Sequence, residues 1–396
     1  MTSEVKLTND QTYIIDSLSE WVINGSFRSY KIVSGYAGTG KTTVAINIRN
    51  KLSEINRGSW RTWNNVAFLA LTGKAASVMR SKIGDLKTGD YCGTIHKMLY
   101  KPIYEKDEYG KSFLVGWEPR DVDDLPYSLI IVDEGSMISS SIWSTLTNLN
   151  IPIIVFGDSA QLPPINEPEN NLLNKPDYFL KQIHRQNLNN PIIKMATNVR
   201  HTGVLLDSID KNCVVTSWQD EKFRKFFDNI KWNKDLICLC ATNNSRVYLN
   251  DRIRKSLGLK KDILYDNERI VCLKNNYTSK IMNGEICTTK WIVPYDGDRI
   301  KVDVEMDNGD FITSKVSQSC FGKEKYNIYR TGDSSNDTDY FDFGYTISVH
   351  KSQGSEWDKV ILFYEPNWHW TKEQETQWLY TAITRARKKI IIVKDF

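Results

Sequence analysis

The segment GYAGTGKT, residues 35–42, has the residue types and spacing of a loop that binds phosphate groups. Its glycines let backbone N–H groups turn toward a polyphosphate, and the helical pattern that follows adds the positive potential of a helix N-terminus. In such a loop Lys41 reaches the β- and γ-phosphates, and the Thr42 hydroxyl ligates Mg²⁺. The sequence therefore predicts ATP and Mg²⁺ as cofactors. The residues predicted to bind them here are Gly38, Thr39, Gly40, Lys41, Thr42 and Thr43.

Two acidic residues follow an apolar run farther along the chain, in LIIVDE at residues 129–134. An apolar strand that ends in acids delivers their carboxylates to the carboxyl edge of a parallel sheet, where ligands bind. We expect Asp133 to hold Mg²⁺ through water and Glu134 to polarise the attacking water. Many buried strands end in an exposed acid, so the pattern becomes informative because a phosphate loop precedes it.

Three further side chains are candidates for contact with the γ-phosphate. Gln161 lies in GDSAQLPP after another apolar run, and a strand-end glutamine senses this phosphate in other enzymes with such a loop. Taken alone, the segment is better explained as a Gly/Asp/Pro turn. Arg185 and Arg385 are candidate arginine fingers, which supply charge to the γ-phosphate when two domains close. Isolated arginines are more often solvated or in surface ion pairs.

The composition is that of a soluble protein with enough residues for two domains. The chain has 396 residues, of which 40% are hydrophobic and 25% charged, and its formal net charge is +4. This mild positive charge permits a nucleic-acid partner without requiring one. No apolar stretch approaches the ~20 residues of a membrane span. We therefore expect no membrane partner and a cytoplasmic location, in the host cytoplasm if the chain is viral.

The seven cysteines are scattered and include no Cys-x-x-Cys pair. Cys238 and Cys240 lie two positions apart in an apolar run, so we expect them on one face of a strand. An odd number at irregular spacing argues against a disulfide framework or a zinc site. The pattern favours packing thiols in a reducing compartment.

Strand and helix patterns alternate along the chain. In the first half, apolar β-rich runs occupy residues 30–34, 66–71, 129–132 and 153–156, with helical patterns at 42–52 and 73–81. In the second half, strand patterns occupy residues 236–241, 360–364 and 390–393, with helical patterns near 245–257 and 373–387. Strands that alternate with helices predict mostly parallel sheets covered on both faces.

Two stretches break this alternation and predict insertions. A polar and aromatic stretch at about 97–126 is typical of a small β-hairpin. A β-rich region at about 286–343, with turn signals DGD and NGD, is typical of a small antiparallel sheet or barrel. The predicted fold class is therefore α/β, with two parallel-sheet domains, residues 1–205 and 206–396, that each carry one β insertion.

Taken together and in order, these segments resemble the superfamily 1 helicases, specifically their RecD-like branch and a small phage helicase within it, over nearly the whole chain. The resemblance implies two RecA-like domains of the P-loop NTPase kind. It implies that the hairpin is the pin that splits the duplex and that the second insertion is SH3-like. It also makes Gln161 a coupling residue and puts Arg185 and Arg385 at two finger positions.

The resemblance implies further site residues that the chemistry alone does not single out. Those implied to bind ATP are Gln11, as the adenine reader in LTNDQ, and Gly354 and Glu356 in QGSE. Those implied to contact DNA are Thr72 and Lys74 in ALTGKAA, His96 in GTIHK, Asn243 in ATNN, and Ser348 and His350 in SVHKS.

By this resemblance the chain is an ATP-dependent DNA helicase that moves 5′ to 3′ on single-stranded DNA and unwinds duplexes in replication, recombination or repair. The implied partners are single-stranded DNA and its junctions with duplex, together with an ssDNA-binding protein or a replisome component. Two rivals stay open: a translocase that strips proteins from DNA with little unwinding, and a nucleotide-dependent DNA-binding switch. A small-molecule kinase is disfavoured, because the second α/β domain would then have no role.

Overall fold

The computed structural model describes residues 7–25, 29–55, 65–106, 112–164, 171–182, 190–261, 263–276, 279, 281–306, 309–324, 338–366 and 369–396. The chain divides into two units, Met1–Ile103 with Gly116–Lys194, and Tyr104–Val115 with Met195–Phe396. The domain limits given by the sequence, 1–205 and 206–396, stay predictions. No helix in the described part of the chain is long and apolar enough to span a membrane.

Helices and strands alternate through most of the described residues. The helices are α1 (Asn9–Ile23), α2 (Lys41–Ile55), α3 (Gly73–Ile83), α4 (Ile95–Leu99), α5 (Ser140–Thr147), α6 (Pro191–Thr202), α7 (Glu221–Asp228), α8 (Asn243–Ser256) and α9 (Lys372–Ile383). The strands up to the end of the first unit are β1 (Tyr30–Gly35), β2 (Val66–Ala70), β3 (Tyr91–Thr94), β4 (Tyr100–Lys106), β5 (Ser112–Pro119), β6 (Leu129–Val132), β7 (Ile153–Gly157) and β8 (Tyr178–Leu180). The later strands are β9 (Cys213–Ser217), β10 (Leu236–Cys240), β11 (Arg269–Cys272), β12 (Ile286–Asp296), β13 (Arg299–Met306), β14 (Phe311–Ser317), β15 (Phe341–Phe343), β16 (Thr346–Ser348), β17 (Trp357–Phe363) and β18 (Ala386–Lys394).

A six-stranded parallel sheet in the order β3-β2-β6-β7-β1-β8 forms the centre of the first unit. Strands β2, β6 and β7 are buried at every position, as expected where helices cover both faces. One face packs against α1 and α2 through Leu18 and Ile48, and the other packs against α4 and α5 through Ile95 and Leu146. The predicted parallel α/β domain is confirmed.

Several helices that follow strands in this chain begin at hydroxyl N-caps. Thr72 after β2, Thr94 at the end of β3 and Thr242 after β10 each accept the N–H of the residue three positions later. Thr371 caps α9 in the same way. Such a cap satisfies an N–H that the first helical turn leaves unpaired, so it fixes where each strand turns into its helix.

Strands β4 and β5 form a separate two-stranded hairpin. It occupies the middle of the stretch at 97–126 that the sequence singles out, since Lys97 itself belongs to helix α4. Lys101 and Glu118 form an ion pair of 3.3 Å across the two strands, and both side chains are exposed. The duplex-splitting role of the hairpin stays a prediction.

The second unit contains a five-stranded parallel sheet in the order β16-β10-β17-β18-β9. Strand β10 carries Cys238 and Cys240, two positions apart and both fully buried. All seven cysteines are free thiols, and burial raises the pKa of Cys238 and of Cys240 well above its usual range. The second parallel domain and the packing role of these thiols are as the sequence predicts.

A second, antiparallel sheet in this unit has the order β14-β13-β12-β11-β15. Its core contains Ile270, Val302 and Phe341. The sheet begins at Arg269, earlier than the limit of 286 expected from sequence, because β11 pairs with both β12 and β15. A four-residue strand followed by a polar stretch carries no periodicity that a sequence reading can detect.

The helix expected at 373–387 is shorter in the structure. It ends at Ile383, and Arg387 lies in strand β18 instead. The apolar residues of β18 pair in register with β17, and the Thr384 hydroxyl closes the last helical turn by donating to the Thr381 carbonyl at 2.9 Å. Strand pairing therefore prevails over local helix propensity at this point.

A buried ion pair connects α8 to the antiparallel sheet. Arg254 and Glu268 bond to each other with side chains only 1% and 0% exposed. Arg254 also donates to the Lys261 carbonyl at 2.6 Å and to the Ile263 carbonyl. Burial raises the pKa of Glu268, and the guanidinium beside it opposes that shift.

We expect Arg254→Ala to lower the free energy of unfolding by about 3–5 kcal/mol, because it leaves the Glu268 carboxylate buried without its counter-charge. Urea denaturation followed by circular dichroism measures the change. Lys255→Ala is the matched control, since Lys255 is 69% exposed and pairs with Asp251 in its own helix. The Lys255 variant should lower the free energy of unfolding by no more than about 1 kcal/mol. Equal losses in the two variants would contradict the anchoring role of Arg254.

Candidate functional site

The predicted phosphate loop joins the end of β1 to the start of α2. Gly38 and Gly40 have φ angles of 78° and 81°, in the left-handed region that favours glycine. The Lys41 ammonium group donates to the backbone carbonyls of Gly35 at 2.6 Å and Tyr36 at 3.1 Å. The side chain of Lys41 therefore lies against the backbone of the loop itself.

Asp133 meets the phosphate loop directly. The Thr42 hydroxyl donates to Asp133 Oδ2 at 3.2 Å. Asp133 follows β6 and Thr42 follows β1, with only β7 between these parallel strands. The structure thus brings together two residues that the sequence assigns to one Mg²⁺ site.

The residue after Asp133 occupies a strained turn. Glu134 has φ 56° and ψ 44°, a left-handed conformation that costs a non-glycine residue roughly 1–2 kcal/mol. Its backbone N–H donates to Asp133 Oδ1 at 2.9 Å. A Cβ at Gly135 would lie 2.5 Å from Val155 Cγ1 and 3.1 Å from the Phe156 carbonyl oxygen, so glycine is required there. The chain therefore leaves β6 in a tight turn pressed against β7.

Gln161 lies in the loop after β7, the strand between β1 and β6. Its backbone N–H donates to the Asp158 carbonyl at 3.1 Å, and the Asp158 carboxylate accepts the N–H of Ala160. The side chain is 5% exposed, and its Oε1 accepts no hydrogen bond among the described residues. Within the part of the chain that the structure describes, this amide oxygen is therefore buried without a partner, in a loop whose strand lies between those of the phosphate loop and the acids.

Gln11 links the first helix to the phosphate loop. Its amide Nε2 donates to the Thr39 carbonyl at 2.9 Å. Its Oε1 accepts the Thr8 N–H at 2.9 Å, and its own N–H donates to the Thr8 hydroxyl, so it completes the capping box of α1. The structure places Gln11 beside the loop in a supporting position, and the adenine contact stays a prediction.

The residues of the first unit that are predicted to touch DNA follow β2 and β3, at the same sheet edge. Thr72 is occupied as the N-cap of α3 and accepts the Ala75 N–H at 3.2 Å. Lys74 is half-buried in the first turn of that helix. His96 is exposed in α4, with its ring stacked on Tyr100 at 6.2 Å.

In the second unit, a carboxylate that sequence reasoning missed organises the start of α8. Glu365 follows β17 and accepts hydrogen bonds from the Ser245 hydroxyl at 2.5 Å and the Ala241 N–H at 3.3 Å. Burial raises the pKa of Glu365, while these hydrogen bonds act in the opposite direction. Because β10 and β17 are adjacent and parallel, their carboxyl ends meet here. A lone Glu after a strand carries no recognisable motif, so this role depends on tertiary pairing.

Asn243, a predicted DNA contact, is held by an arginine from its own helix. Arg246 Nε donates to Asn243 Oδ1 at 3.2 Å. The same guanidinium forms a buried ion pair with Asp342 of β15 and donates to the Lys323 carbonyl at 2.7 Å. The antiparallel sheet is therefore connected through Arg246 to the first residue of α8.

The segment 349–356 connects β16 to β17. It runs from the carboxyl ends of the strands of the second sheet to their amino ends. Ser348 precedes it, and the Ser348 hydroxyl accepts the Lys351 N–H at 3.4 Å. Gly354 has a φ of 74°, where glycine is favoured, and Glu356 is exposed. One segment thus carries predicted DNA contacts near one edge and predicted nucleotide contacts near the other.

Arg385 lies beneath this segment and is 3% exposed. Its guanidinium donates to the Thr381 carbonyl at 2.9 Å, the Ser355 carbonyl at 3.3 Å and the Thr384 hydroxyl at 3.1 Å. Among the described residues, all of its acceptors are uncharged. The other finger candidate, Arg185, lies outside the described residues.

Burial lowers the pKa of two side chains in the same segment. It lowers the pKa of His350 below the ordinary value of 6.5, so the neutral imidazole is favoured. It also lowers the pKa of Lys351, and the nearby Arg246 guanidinium adds to that shift. His350 therefore offers a hydrogen bond at neutral pH, and not a positive charge, to whatever lies against it.

Family models match both ends of the chain. Residues 10–214 match the model described as AAA domain, and residues 343–393 match the UvrD-like helicase C-terminal domain. The first match covers more than half of the chain, which therefore belongs to this AAA-domain family. The pair of matches is that of a superfamily 1 helicase, which confirms the superfamily that the motifs indicate.

Curated relatives extend over most of the chain. The ATP-dependent RecD2 DNA helicase of Deinococcus radiodurans is 24% identical over 404 residues, which cover 97% of this chain and 48% of that protein. The ATP-dependent DNA helicase Pif1 of Campylobacter jejuni is 24% identical over 314 residues, covering 65% of this chain and 67% of that protein. The chain thus spans about half the length of the RecD2 protein.

Solved structures share the fold. The Pif1 helicase from Bacteroides, in complex with ADP-AlF3 and ssDNA, superimposes with a TM-score of 0.56 at 19% identity, covering 99% of this chain and 93% of that one. The Pif1 helicase from Candida albicans gives a TM-score of 0.55 at 18% identity, covering 99% and 95%. The prediction of two RecA-like domains is confirmed, and the likeness to a phage helicase stays a prediction.

We expect His350→Gln to reduce the acid sensitivity of unfolding. Because the folded state lowers the pKa of His350, the unfolded chain takes up this proton first as the pH falls. The favourable contribution is therefore present above about pH 6.5 and is lost as the pH drops below it toward the folded pKa. Urea unfolding at several pH values on both sides of this point measures the effect.

His96→Gln, at an exposed position, is the matched control and should leave the pH dependence of the wild type in place. The free energy of unfolding of the His350 variant should fall less steeply with acid than that of the control. Parallel curves for wild type and both variants would rule out a lowered pKa of His350 in the folded state.

Proposed function

We propose that this chain is an ATP-dependent DNA helicase, a motor that moves on single-stranded DNA and unwinds duplexes. The observation that carries the proposal is the hydrogen bond between Thr42 and Asp133, which joins the phosphate loop to the acids after β6. Gln161 follows the strand between them. The second parallel sheet and the match to a UvrD-like helicase C-terminal domain support a two-domain motor over a phosphotransferase.

The residues at this edge fit a partly hydrated Mg²⁺ ion. The Thr42 hydroxyl and the Asp133 carboxylate are hard oxygen donors only 3.2 Å apart. Mg²⁺ prefers oxygen ligands and keeps several waters, so one hydroxyl and one water-bridged carboxylate are a suitable protein contribution. When bound with ATP, the ion neutralises charge on the β- and γ-phosphates.

Hydrolysis is assigned to side chains around the same loop. Lys41 would exchange the neutral carbonyls of Gly35 and Tyr36 for charged phosphate oxygens, which form stronger hydrogen bonds. Glu134, held by its left-handed turn next to Asp133, would orient and polarise the attacking water. Gln161 would report on the γ-phosphate through its buried amide.

Arg385 and Arg185 are proposed as the finger residues. The buried Arg385 guanidinium bonds only to uncharged oxygens in the described part of the chain. A desolvated cation in such surroundings gains strongly from an approaching anion. The Ser355 carbonyl connects Arg385 to the segment 349–356, which also carries Gly354 and Glu356 as predicted nucleotide contacts.

The same segment is the proposed connection between nucleotide state and grip on DNA. Ser348 and His350 would hold the strand together with Asn243 in this unit, and Thr72, Lys74 and His96 would do so in the first. A short rigid crossing between two edges transmits a shift at one edge to the other more directly than a flexible loop does. We propose that closure around ATP alters the hold on DNA through this crossing.

An exposed face of the antiparallel sheet supports a nucleic-acid partner. Trp291 on β12 and Phe311 on β14 are 67% and 66% exposed, on the side opposite the buried core. Tyr295, 45% exposed, has Lys301 and Lys315 over its ring at 5.3 and 5.1 Å. Flat exposed aromatic side chains suit stacked bases, and the two lysines at Tyr295 suit phosphate groups.

The likeness to RecD-like helicases supports three finer proposals. Movement is 5′ to 3′, the hairpin of β4 and β5 is the strand-separating pin, and the setting is replication, recombination or repair in the cytoplasm. Single-stranded DNA and its junctions with duplex are the proposed substrates, with an ssDNA-binding protein or a replisome component as protein partner. The Bacteroides Pif1 structure with ssDNA supports the choice of nucleic acid.

The first test measures ATP hydrolysis with and without single-stranded DNA, together with unwinding of duplexes that carry a 5′ or a 3′ tail. We expect strong stimulation and unwinding only from the 5′ tail. Lys41→Ala should reduce hydrolysis by roughly 10²–10³-fold, since it removes a charged contact to the phosphates.

The Lys41 variant is expected to keep the wild-type circular dichroism spectrum, which separates lost chemistry from lost folding. Stimulation without unwinding would favour the translocase. Nucleotide binding without stimulated turnover would favour the DNA-binding switch. Retained hydrolysis by the Lys41 variant would overturn the site assignment.

We also expect Trp291→Ala to weaken binding of single-stranded DNA by about 1–3 kcal/mol, the usual cost of removing one base-stacking partner. Fluorescence anisotropy with a labelled oligonucleotide measures it. Val293→Ala, on the same face and 42% exposed, is the matched control and should bind as the wild type does. Equal affinities of both variants for the oligonucleotide would show that this face does not bind DNA.

A further inference from the structure

A cavity of about 340 Å³ opens in the second unit between the end of α7 and the parallel sheet. Its apolar walls include Ile230 after the helix, Leu236 at the start of β10, and Ile361 and Ile391 on β17 and β18. Phe226, in the last turn of α7, lies in the lining and is 48% exposed. A large hydrophobic side chain left half in water beside an apolar cavity is typical of a binding surface.

Three lysines, Lys231, Lys359 and Lys389, line the same cavity. Lys359 and Lys389 are register partners on neighbouring parallel strands, so two positive charges lie side by side on one face. Like charges at paired positions destabilise a sheet unless something offsets them. Within the described ranges, no carboxylate forms an ion pair with any of the three.

The acids nearest in sequence are engaged elsewhere or turned to solvent. Asp228 accepts two hydrogen bonds from Arg252, at 2.9 and 2.8 Å. Asp358 pairs with two cations of β18. Asp235 is exposed, and its backbone carbonyl accepts the Lys359 N–H at 2.9 Å. The cavity therefore presents an apolar floor with a positive rim.

We propose that this cavity, which we name the α7 groove, binds a short acidic peptide segment of a partner protein. An aromatic or large aliphatic side chain would insert among the apolar walls, and the flanking carboxylates would lie on the three lysines. The volume is in the range of pockets that hold small ligands, which is enough for one large side chain. Charge complementarity then selects acidic over basic segments.

The lining argues against a nucleic acid as the occupant. Bases need hydrogen-bond partners for their polar edges, whereas the floor is aliphatic and aromatic. Apart from the lysines, the polar side chain in the lining is that of Asn229, whose amide already donates to the Lys225 carbonyl at 2.7 Å. The inference uses neither ATP nor DNA binding, so it stands or fails separately from the helicase function.

The experiment uses a fluorescently labelled peptide of aspartates around one phenylalanine and measures its anisotropy with the full chain. We expect saturable binding to the wild type. The double variant Lys359→Glu/Lys389→Glu should weaken it by roughly tenfold or more, since two attractive contacts become repulsive. A like-charged pair remains in register in this variant, so the fold is under the same strain as in the wild type.

Two controls separate the groove from surface charge in general. Lys388→Glu changes a 73% exposed lysine one position away, which pairs with Asp358, and should leave binding unchanged. A peptide with serine in place of phenylalanine should bind roughly tenfold more weakly. The single variant Lys389→Glu should raise the melting temperature, because repulsion with Lys359 becomes attraction.

Three outcomes would overturn the proposal. The first is equal binding by the wild type and the double variant. The second is equal binding of the phenylalanine and serine peptides, which would leave only surface charge. The third outcome would assign the groove to nucleic acid and has two parts. An unlabelled oligonucleotide displaces the peptide from both the wild type and Lys388→Glu, and the double variant loses direct binding of that oligonucleotide.

Discussion

Parallel pairing of strands is the constraint on which the candidate sites depend. In a parallel sheet every strand ends at the same edge, so residues far apart in sequence meet there without any long connection. The phosphate loop after β1, the acids after β6 and Gln161 after β7 follow three adjacent strands for this reason. The hydrogen bond between Thr42 and Asp133 is a direct result of this arrangement. In the second unit, the same geometry brings Glu365 to the start of α8.

In the second sheet, residues at both ends of the strands belong to the candidate site. Segment 349–356 leaves the carboxyl end of β16 and reaches the amino end of β17, where the Ser355 carbonyl accepts a hydrogen bond from the buried Arg385. A loop that began and ended at the carboxyl ends of the strands would connect only positions that already lie close together. The crossing is partly buried and includes a 3-10 turn at His350–Ser352. Arg246 and Asp342 then join the antiparallel sheet to the same region.

Sequence alone predicts the features that local chemistry dictates. The positions of Gly38 and Gly40, which need positive φ, identify the phosphate loop, and long apolar runs identify β6, β7 and β10. The roles of Glu365 and of the Arg246–Asp342 pair are not predictable in this way, because their partners lie about 100 residues away and only the folded sheets bring them together. The short strands β11 and β16 and the early end of α9 are missed for a related reason. Their extent is set by pairing across the sheet, and local propensity does not report it.

Gln11 has a consequence for the handling of this protein. One side-chain amide both closes the capping box at Thr8 and holds the Thr39 carbonyl of the phosphate loop. Thr8, at the start of the first helix, is therefore linked to the phosphate loop through the Gln11 side chain. A change near Thr8 that loosens the start of α1 would therefore also disturb the support that Gln11 gives to the phosphate loop.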